Sequence, residues 1–413
     1  MSTVLAPAAS RSLRSDATMI GLVALGHGIS HYSQLLLAPL FPWLKDVFAV
    51  SYAQLGLLLS IFFVVSCIVQ ALSGFVVDRF GPRPVLFGGL ALLGLAAFGY
   101  ASSESYLMLA GFSVVAGVGN GVFHPVDYTL INRKVDKKRL GHAYSAHSIS
   151  GSLGWALAPA MLVPLTLAYS WRVALACAGL LAFAVLTLLW VRRADLSLEL
   201  APSAGAGAAT TAQAQGRATD FLKIPAVWMC CAFFFLFAMS LSVVQSFATE
   251  SARQLHDVPA HIAAICLTVY MLVSAGGMVL GGFLASNPAR CERIVGIGFG
   301  FAATVALALG FADVPALAVP VLFGAMGFAA GLAAPSRDLL VKRSTPDNAT
   351  GRVYGVVYSG LDIGQAIAPL AFGLLMDLHR YQAVFVGLAL VQGVLVASAF
   401  NVRRVRRTAL APA

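Results

Sequence analysis

Four titratable side chains stand inside two apolar stretches of the sequence. His27 and His31 are four residues apart, and His124 and Asp127 are three apart, so each pair shares one face of a helix. Counting about 1.5 Å per residue from the same end of both stretches places His27 and His124 at a similar depth. We therefore expect the two pairs to meet across one cavity.

Three uses of this histidine and aspartate group remain open. The imidazole pKa is about 6.5 in water, which suits the group to take up and release a coupling proton. The same four residues are also the candidate ligands for a transition metal, but carriers of bare metal usually have more acid or sulfur near the cavity, so the proton is favoured over a metal. The third use is hydrogen bonding between helices, which is the role we expect for His142 and His147.

Polar residues in the second half of the chain extend this set. Arg337 suits a carboxylate or phosphonate ligand. It lies about 6 Å from the end of its apolar stretch, so a gate pair with Asp127 or Asp338 is an equal alternative. Asp362, beside Gln365, lies near the middle of another stretch, and we expect it to share the proton coupling.

The composition identifies a membrane protein. Of 413 residues, 59% are hydrophobic and 11% are charged, whereas soluble proteins average about 25% charged residues. The net charge of +10 lies in short clusters between apolar stretches, which argues against a nucleic-acid partner. The six cysteines lack ligand spacing. No nucleotide-binding, nucleophile or cofactor motif is present, so we expect neither an enzyme nor an ATP-driven pump, and no cofactor.

The apolar stretches predict an all-α protein with twelve transmembrane helices, because a span needs about 20 apolar residues. One long polar segment, rich in Ala, Gly, Ser, Thr and Gln, has the composition of a flexible linker and divides the spans six and six. The predicted divisions are an N-terminal tail 1–18, a first bundle 19–191, a linker 192–222, a second bundle 223–401 and a basic tail 402–413.

The distribution of Lys and Arg predicts the orientation. With the N-terminus inside, the cytoplasmic loops and tails hold 22 of the 27 basic residues and the opposite loops hold four. Basic residues concentrate in cytoplasmic loops. We therefore expect a multi-pass protein of the bacterial inner membrane with both termini cytoplasmic.

An internal repeat relates the two halves at an offset of 210 residues. Eleven of 43 positions are identical between 117–159 and 327–369, including Pro125 with Pro335. A repeat of six spans preserves the topology, so the halves are parallel repeats about an axis along the membrane normal.

A loop signature follows the second predicted span. It consists of Gly74, Asp78, Arg79, Gly81 and Arg83. Together with two parallel six-span halves and a long linker, it resembles the major facilitator superfamily. The resemblance implies two six-helix bundles, a cavity lined by spans one, four, seven and ten, and a signature loop that acts as a conformational switch.

Within that superfamily, the first and fourth spans look most similar to the fosmidomycin-resistance subgroup. The matching residues are His27, the pair Phe41-Pro42, and the triplet Phe123-His124-Pro125. His31 stands where that subgroup has an acidic residue.

These features predict a proton-coupled secondary transporter that exports a small amphiphilic or anionic compound by alternating access. The alternatives are an importer of an organic anion, metal ion or metal chelate, and a non-transporting membrane receptor on the same fold. The expected partners are a small-molecule substrate, protons and the lipid bilayer, and the expected oligomeric state is a monomer.

Overall fold

The computed structural model describes residues 12–198, 225–285, 290–344 and 350–409, apart from the side chains at 138, 226, 338–344, 350–358 and 401–409. Within these ranges the chain is helical and contains no strand. The helices are α1 Leu13–Gln34, α2 Phe41–Phe48, α3 Tyr52–Phe80, α4 Pro82–Ala101, α5 Tyr106–Asn120, α6 Phe123–Lys134, α7 Leu140–Ala168, α8 Trp171–Val191, α9 Pro225–Val243, α10 Thr249–Leu255, α11 Ala260–Leu284, α12 Cys291–Phe311, α13 Val319–Ser344, α14 Thr350–Asp377 and α15 Tyr381–Ala409.

Eleven candidate spans within the described residues are long and apolar enough to cross a membrane. The predicted span that is not among these eleven is the first one, which corresponds to α1. Polar residues such as His27, Ser30 and His31 lower its hydropathy. Two of the spans are made of two helices. A break at Gly121 separates α5 from α6, and a π-helical turn, Val244–Ala248, joins α9 to α10.

The first helix begins earlier than the predicted division between the N-terminal tail and the first bundle. The first helix begins inside the predicted N-terminal tail, because the Ser12 hydroxyl caps it by accepting a hydrogen bond from the Ser15 N–H. Asp16 lies in the first turn, where a negative charge is favourable. Most of the predicted linker lies outside the described residues.

The glycines of the internal repeat make matching contacts in the two halves. A Cβ on Gly121, at the end of α5, would meet the Ser66 carbonyl of α3. A Cβ on Gly331 of α13 would meet the Ser274 carbonyl of α11. The same relation holds for α7 with α1 and α14 with α9, at Gly154 against Gly28 and Gly364 against Phe235. Corresponding helices therefore approach at backbone distance in each of the two six-helix bundles.

The two halves meet along α3 with α14 and along α7 with α11. At the start of α3, the Tyr52 and Ala53 N–H groups donate to the Asp377 carboxylate at 2.7 and 2.9 Å. The Ser60 hydroxyl donates to the Ala366 carbonyl at 2.5 Å. We call this the far end of the molecule and the opposite one, where α3 and α8 end, the basic end. The halves are thus in contact at the far end.

Candidate functional site

Asp127 on α6 is the centre of a buried cluster. Its side chain has no exposed surface. One carboxylate oxygen, Oδ2, lies 3.0 Å from Nδ1 of His27 and 3.1 Å from Nε2 of His147. The other oxygen, Oδ1, is buried and has no hydrogen-bond partner among the described residues. A single carboxylate therefore links α1 to α7 through two imidazole rings.

The rings of four histidines pack around this carboxylate. His27 stacks on His147 with ring centroids 3.5 Å apart, and its centroid lies 4.4 Å from that of His31 and 5.3 Å from that of His124. His31 and His124 are 6.4 Å apart. The two pairs predicted to meet thus lie together, inside the first half of the molecule.

Local sequence explains how these side chains reach one point. On α1, the i, i+4 spacing places both histidines on one face. The break at Gly121 begins α6 just before His124, so that His124 and Asp127 lie in its first two turns. On α7, Gly151 makes room for the rings, because a Cβ there would lie 2.7 Å from Nδ1 of His31 and 3.2 Å from Nε2 of His27.

The same cluster offers metal-ligand atoms. His27, His124 and His147 each present one ring nitrogen within 4.8 Å of the others. Two of these rings already hydrogen-bond to Asp127. The arrangement in the structure is therefore a hydrogen-bonded network of one carboxylate and several imidazoles.

His147 is the member of the cluster that the sequence did not single out. It was expected to hydrogen-bond between helices, and it does so, but its partner is Asp127. The exposed His142, one and a half turns earlier on the same helix, lies outside the cluster. The two histidines have similar sequence surroundings, so only the approach of α1 to α7 distinguishes them.

A polar network, also unforeseen from the sequence, adjoins the cluster. The His31 ring lies 4.3 Å from the Trp155 ring, and the Trp155 indole N–H donates to Gln34 Oε1 at 3.0 Å. Asn120 Oδ1 accepts from Gln34 and from the Ser30 hydroxyl. The network ends on α3, where the Asn120 amide donates to the Ser66 hydroxyl at 2.8 Å.

The predicted residues of the second half have described contacts of their own. The Arg337 guanidinium packs on α9, 3.9 Å from the Phe237 ring centroid and 5.6 Å from that of Phe234. Asp362 accepts a hydrogen bond from the Gln70 amide at 3.3 Å, across the contact between α14 and α3. The other predicted residues are Gln365, Asp338 and those of the loop signature.

Gln365 is buried, and its Oε1 has no hydrogen-bond partner among the described residues. The side chain of Asp338 is outside the description. The joint site of these residues with the histidines therefore stays a prediction.

The loop signature lies at the basic end, between α3 and α4. Gly81 has a φ of 82°, a conformation that glycine adopts without strain, and it ends α3 and begins α4. Asp78 and Arg79 are exposed on the last turn of α3, and a Cβ on Gly74 would meet no atom within 4 Å. Arg83 donates to the backbone carbonyl of Arg193 at 3.4 Å.

Comparison with known proteins identifies relatives of the whole architecture. A family model described as Major Facilitator Superfamily matches residues 23–324 and 252–413. The Fosmidomycin resistance protein of Escherichia coli (strain K12) is 27% identical over 156 residues, a match that spans 37% of this chain and 38% of that protein.

Two other relatives match more of the chain. The uncharacterized MFS-type transporter YfnC of Bacillus subtilis (strain 168) is 26% identical over 331 residues, 77% of this chain and 78% of that protein. A crystal structure of a bacterial homologue of the human lysosomal transporter Spinster, in an inward-facing and occupied conformation, has a TM-score of 0.76 at 15% identity. It covers 96% of this chain and 98% of that one.

Proposed function

The chain belongs to the major facilitator superfamily, and we propose that it is a proton-coupled secondary transporter that exports a small amphiphilic or anionic compound by alternating access. A multi-pass transporter of this family moves its substrate between two facing states of one central site. Such a transporter needs one group that binds the coupling proton and one that binds the substrate.

The observation that carries the proposal is the buried Asp127 carboxylate between His27 and His147. Adding or removing one proton changes the net charge of this cluster, and an uncompensated buried charge costs several kcal/mol. Moving a two-state equilibrium from 1:99 to 99:1 takes about 5.5 kcal/mol of differential binding. One proton in such surroundings therefore supplies a large part of the energy that separates two facing states.

Asp362 supports a second coupling position. Its hydrogen bond to Gln70 crosses between the halves, so a movement of α14 away from α3 exposes the carboxylate. Its proton affinity then depends on the facing state, which is the requirement for coupling. The contacts of Asp377 with the start of α3 join the two halves at the far end, and we infer that they help to close that end.

The surroundings of Arg337 support the proposed substrate class. A guanidinium is a bidentate donor for carboxylate, sulfonate or phosphonate groups, and it stacks well on aromatic rings. Arg337 lies on Phe237 and near Phe234, so a compound with an acidic head and an apolar body finds both partners there. The relative named for fosmidomycin resistance favours export as the direction.

The proposed setting follows the charge distribution. The bias of Lys and Arg towards one set of loops supports cytoplasmic termini, and relatives from Escherichia coli and Bacillus subtilis support a bacterial cell membrane. We propose that the protein acts there as a monomer.

The test uses the purified full-length protein in liposomes that contain a pH-sensitive dye. A panel of organic anions, phosphonates and antibiotics is screened for substrate-dependent proton flux, and the direction of accumulation is read under an imposed pH gradient. Asp127→Asn and His147→Gln are expected to abolish proton flux while exchange of labelled substrate persists. His142→Gln is the matched control, because it removes an exposed histidine from the same helix.

Each outcome decides a different part of the proposal. Full proton flux in Asp127→Asn contradicts the coupling site. Accumulation along the direction of proton entry identifies an importer. Absence of flux for the whole panel, with ligand binding retained, favours a receptor.

A further inference from the structure

A pocket at the basic end includes Arg83 of the loop signature and is separate from the histidine cluster. It has a volume of about 420 Å³ between the start of α4 and the end of α8. Its lining residues are Arg83, Pro84, Phe87, Trp190 and Arg193. The pocket therefore combines two guanidinium groups with two aromatic rings.

The two arginines are held in place without a carboxylate. Arg83 donates to the backbone carbonyl of Arg193 at 3.4 Å, and Arg193 donates to that of Trp190 at 3.5 Å. No ion pair among the described residues includes either guanidinium. The neighbouring Arg192, by contrast, binds Asp195 at 2.9 Å. Two positive charges thus share one pocket, with only long contacts to backbone carbonyls and no ion pair among the described residues.

The start of α4 adds to this positive character. The N-terminus of a helix carries a partial positive charge, although among the first three residues of α4 only Arg83 has a backbone N–H, because Pro82 and Pro84 lack one. Arg83 lies in the first turn of α4, directly after Gly81 and Pro82. An anion between the two guanidiniums therefore also lies close to the positive end of a 20-residue helix.

The aromatic side of the pocket is exposed on the surface of α8. Trp190 is 56% exposed and its ring centroid lies 5.5 Å from that of the nearly buried Phe87. Leu188 and Val191 beside it are also exposed. Tryptophan is enriched where a membrane helix crosses the headgroup level. The position of Trp190 at the end of α8 therefore favours a pocket at headgroup depth, next to an exposed apolar surface of the span.

We propose that this pocket binds the phosphodiester headgroup of an anionic phospholipid, with the phosphate between Arg83 and Arg193 and one acyl chain along Trp190 and Val191. Arginine pairs strongly with phosphate oxygens, and basic pockets between membrane helices suit anionic headgroups. A soluble phosphate compound shares this headgroup chemistry, but it would leave the exposed apolar surface without a partner. The site is independent of the proposed proton coupling and substrate site.

The first test is native mass spectrometry of the detergent-purified protein with added phosphatidylglycerol or phosphatidylcholine. The wild type is expected to retain phosphatidylglycerol in preference to phosphatidylcholine. Loss of each charge-assisted contact weakens binding about tenfold, so Arg83→Gln/Arg193→Gln is expected to lose the preference. The control Arg133→Gln/Arg192→Gln removes the same charge from the basic end but outside the pocket. It is expected to keep the preference for phosphatidylglycerol.

Equal retention by both double variants, or equal loss in both, overturns the site. Displacement of bound phosphatidylglycerol by millimolar glycerol 3-phosphate assigns the pocket to a soluble anion and overturns the lipid. Size-exclusion profiles and helical circular dichroism check that the variants fold.

A second measurement does not depend on removing an arginine. Phosphatidylglycerol brominated on its acyl chains is expected to quench the tryptophan fluorescence of the wild type in nanodiscs more than brominated phosphatidylcholine does. The excess is expected to vanish in Trp190→Phe, because Trp190 alone of the five tryptophans lines the pocket. An unchanged excess in Trp190→Phe contradicts the proposed location.

Discussion

Substituting Gly151 by alanine tests whether the packing of α1 on α7 maintains the histidine cluster. The added Cβ would lie 2.7 Å from Cε1 and Nδ1 of His31 and 3.2 Å from Nε2 of His27. Comfortable contacts begin at about 3.5 Å, so the His31 ring has to move by about 0.8 Å. Neither ring has free space, because His31 packs on Trp155 and His27 stacks on His147.

The expected cost follows from these contacts. Overpacking of this kind costs about 1–3 kcal/mol of stability. A shift of the His27 ring also lengthens its 3.0 Å contact with Asp127, and a hydrogen bond to a charged group contributes about 1.5–3 kcal/mol. Proton-driven transport is therefore expected to fall about tenfold or more, since 1.4 kcal/mol is a factor of ten.

The assay compares proton flux in liposomes and thermal unfolding for Gly151→Ala and Gly141→Ala. Gly141 is on the same helix, and a Cβ there would meet no atom within 4 Å. Both substitutions gain the helix preference of alanine, about 1 kcal/mol, so their difference isolates the clash. If the two variants transport equally and unfold at the same temperature, the histidine rings do not depend on this packing, and the reasoning is wrong.

Three further predictions concern coupling and gating, all measured in the same liposomes. His31→Ala or Asp362→Asn should abolish uphill transport but spare exchange without a gradient, and an unchanged pH profile in both argues for a uniporter. Asp78→Asn should slow every mode of transport, because the residue belongs to the switch loop; a selective loss of uphill transport contradicts that role. Asp377→Asn weakens two backbone contacts at the start of α3, so far-end closure should weaken and a thiol reagent should label a cysteine introduced at Ala53 faster.

Properties that depend on the composition of single segments were predictable from the sequence. The length of an apolar stretch is a one-dimensional signal, so the helical spans and the internal repeat could be predicted before any contact was known. Helix spacing also placed His27 with His31, and His124 with Asp127, on common faces. Counting residues from the same end of both spans then predicted a similar depth in the membrane for the two pairs.

The remaining contacts depend on how helices are arranged around one another. His27 and Asp127 are 100 residues apart in the chain, and no local pattern selects His147 rather than His142 as the third partner. Gly151 is one of 39 glycines, and its importance follows only from the rings that face it. Hydrogen bonds from Gln34, Asn120 and Trp155 were missed for the same reason.

One helix connects the two regions proposed to bind protons. On α3, Ser66 and Gln70 are four residues apart and therefore share a face. Ser66 ends the polar network that begins beside His31, and Gln70 binds Asp362 in the other half. Because α3 is continuous from Tyr52 to Phe80 and packs on α5 at backbone distance near Gly121, Ser66 and Gln70 belong to one rigid element of the first half. The histidine cluster and Asp362 are thus linked through α3, and in the proposed alternating access the cluster moves with α3 when the contact between Gln70 and Asp362 breaks, which offers a physical route for coupling between the two sites.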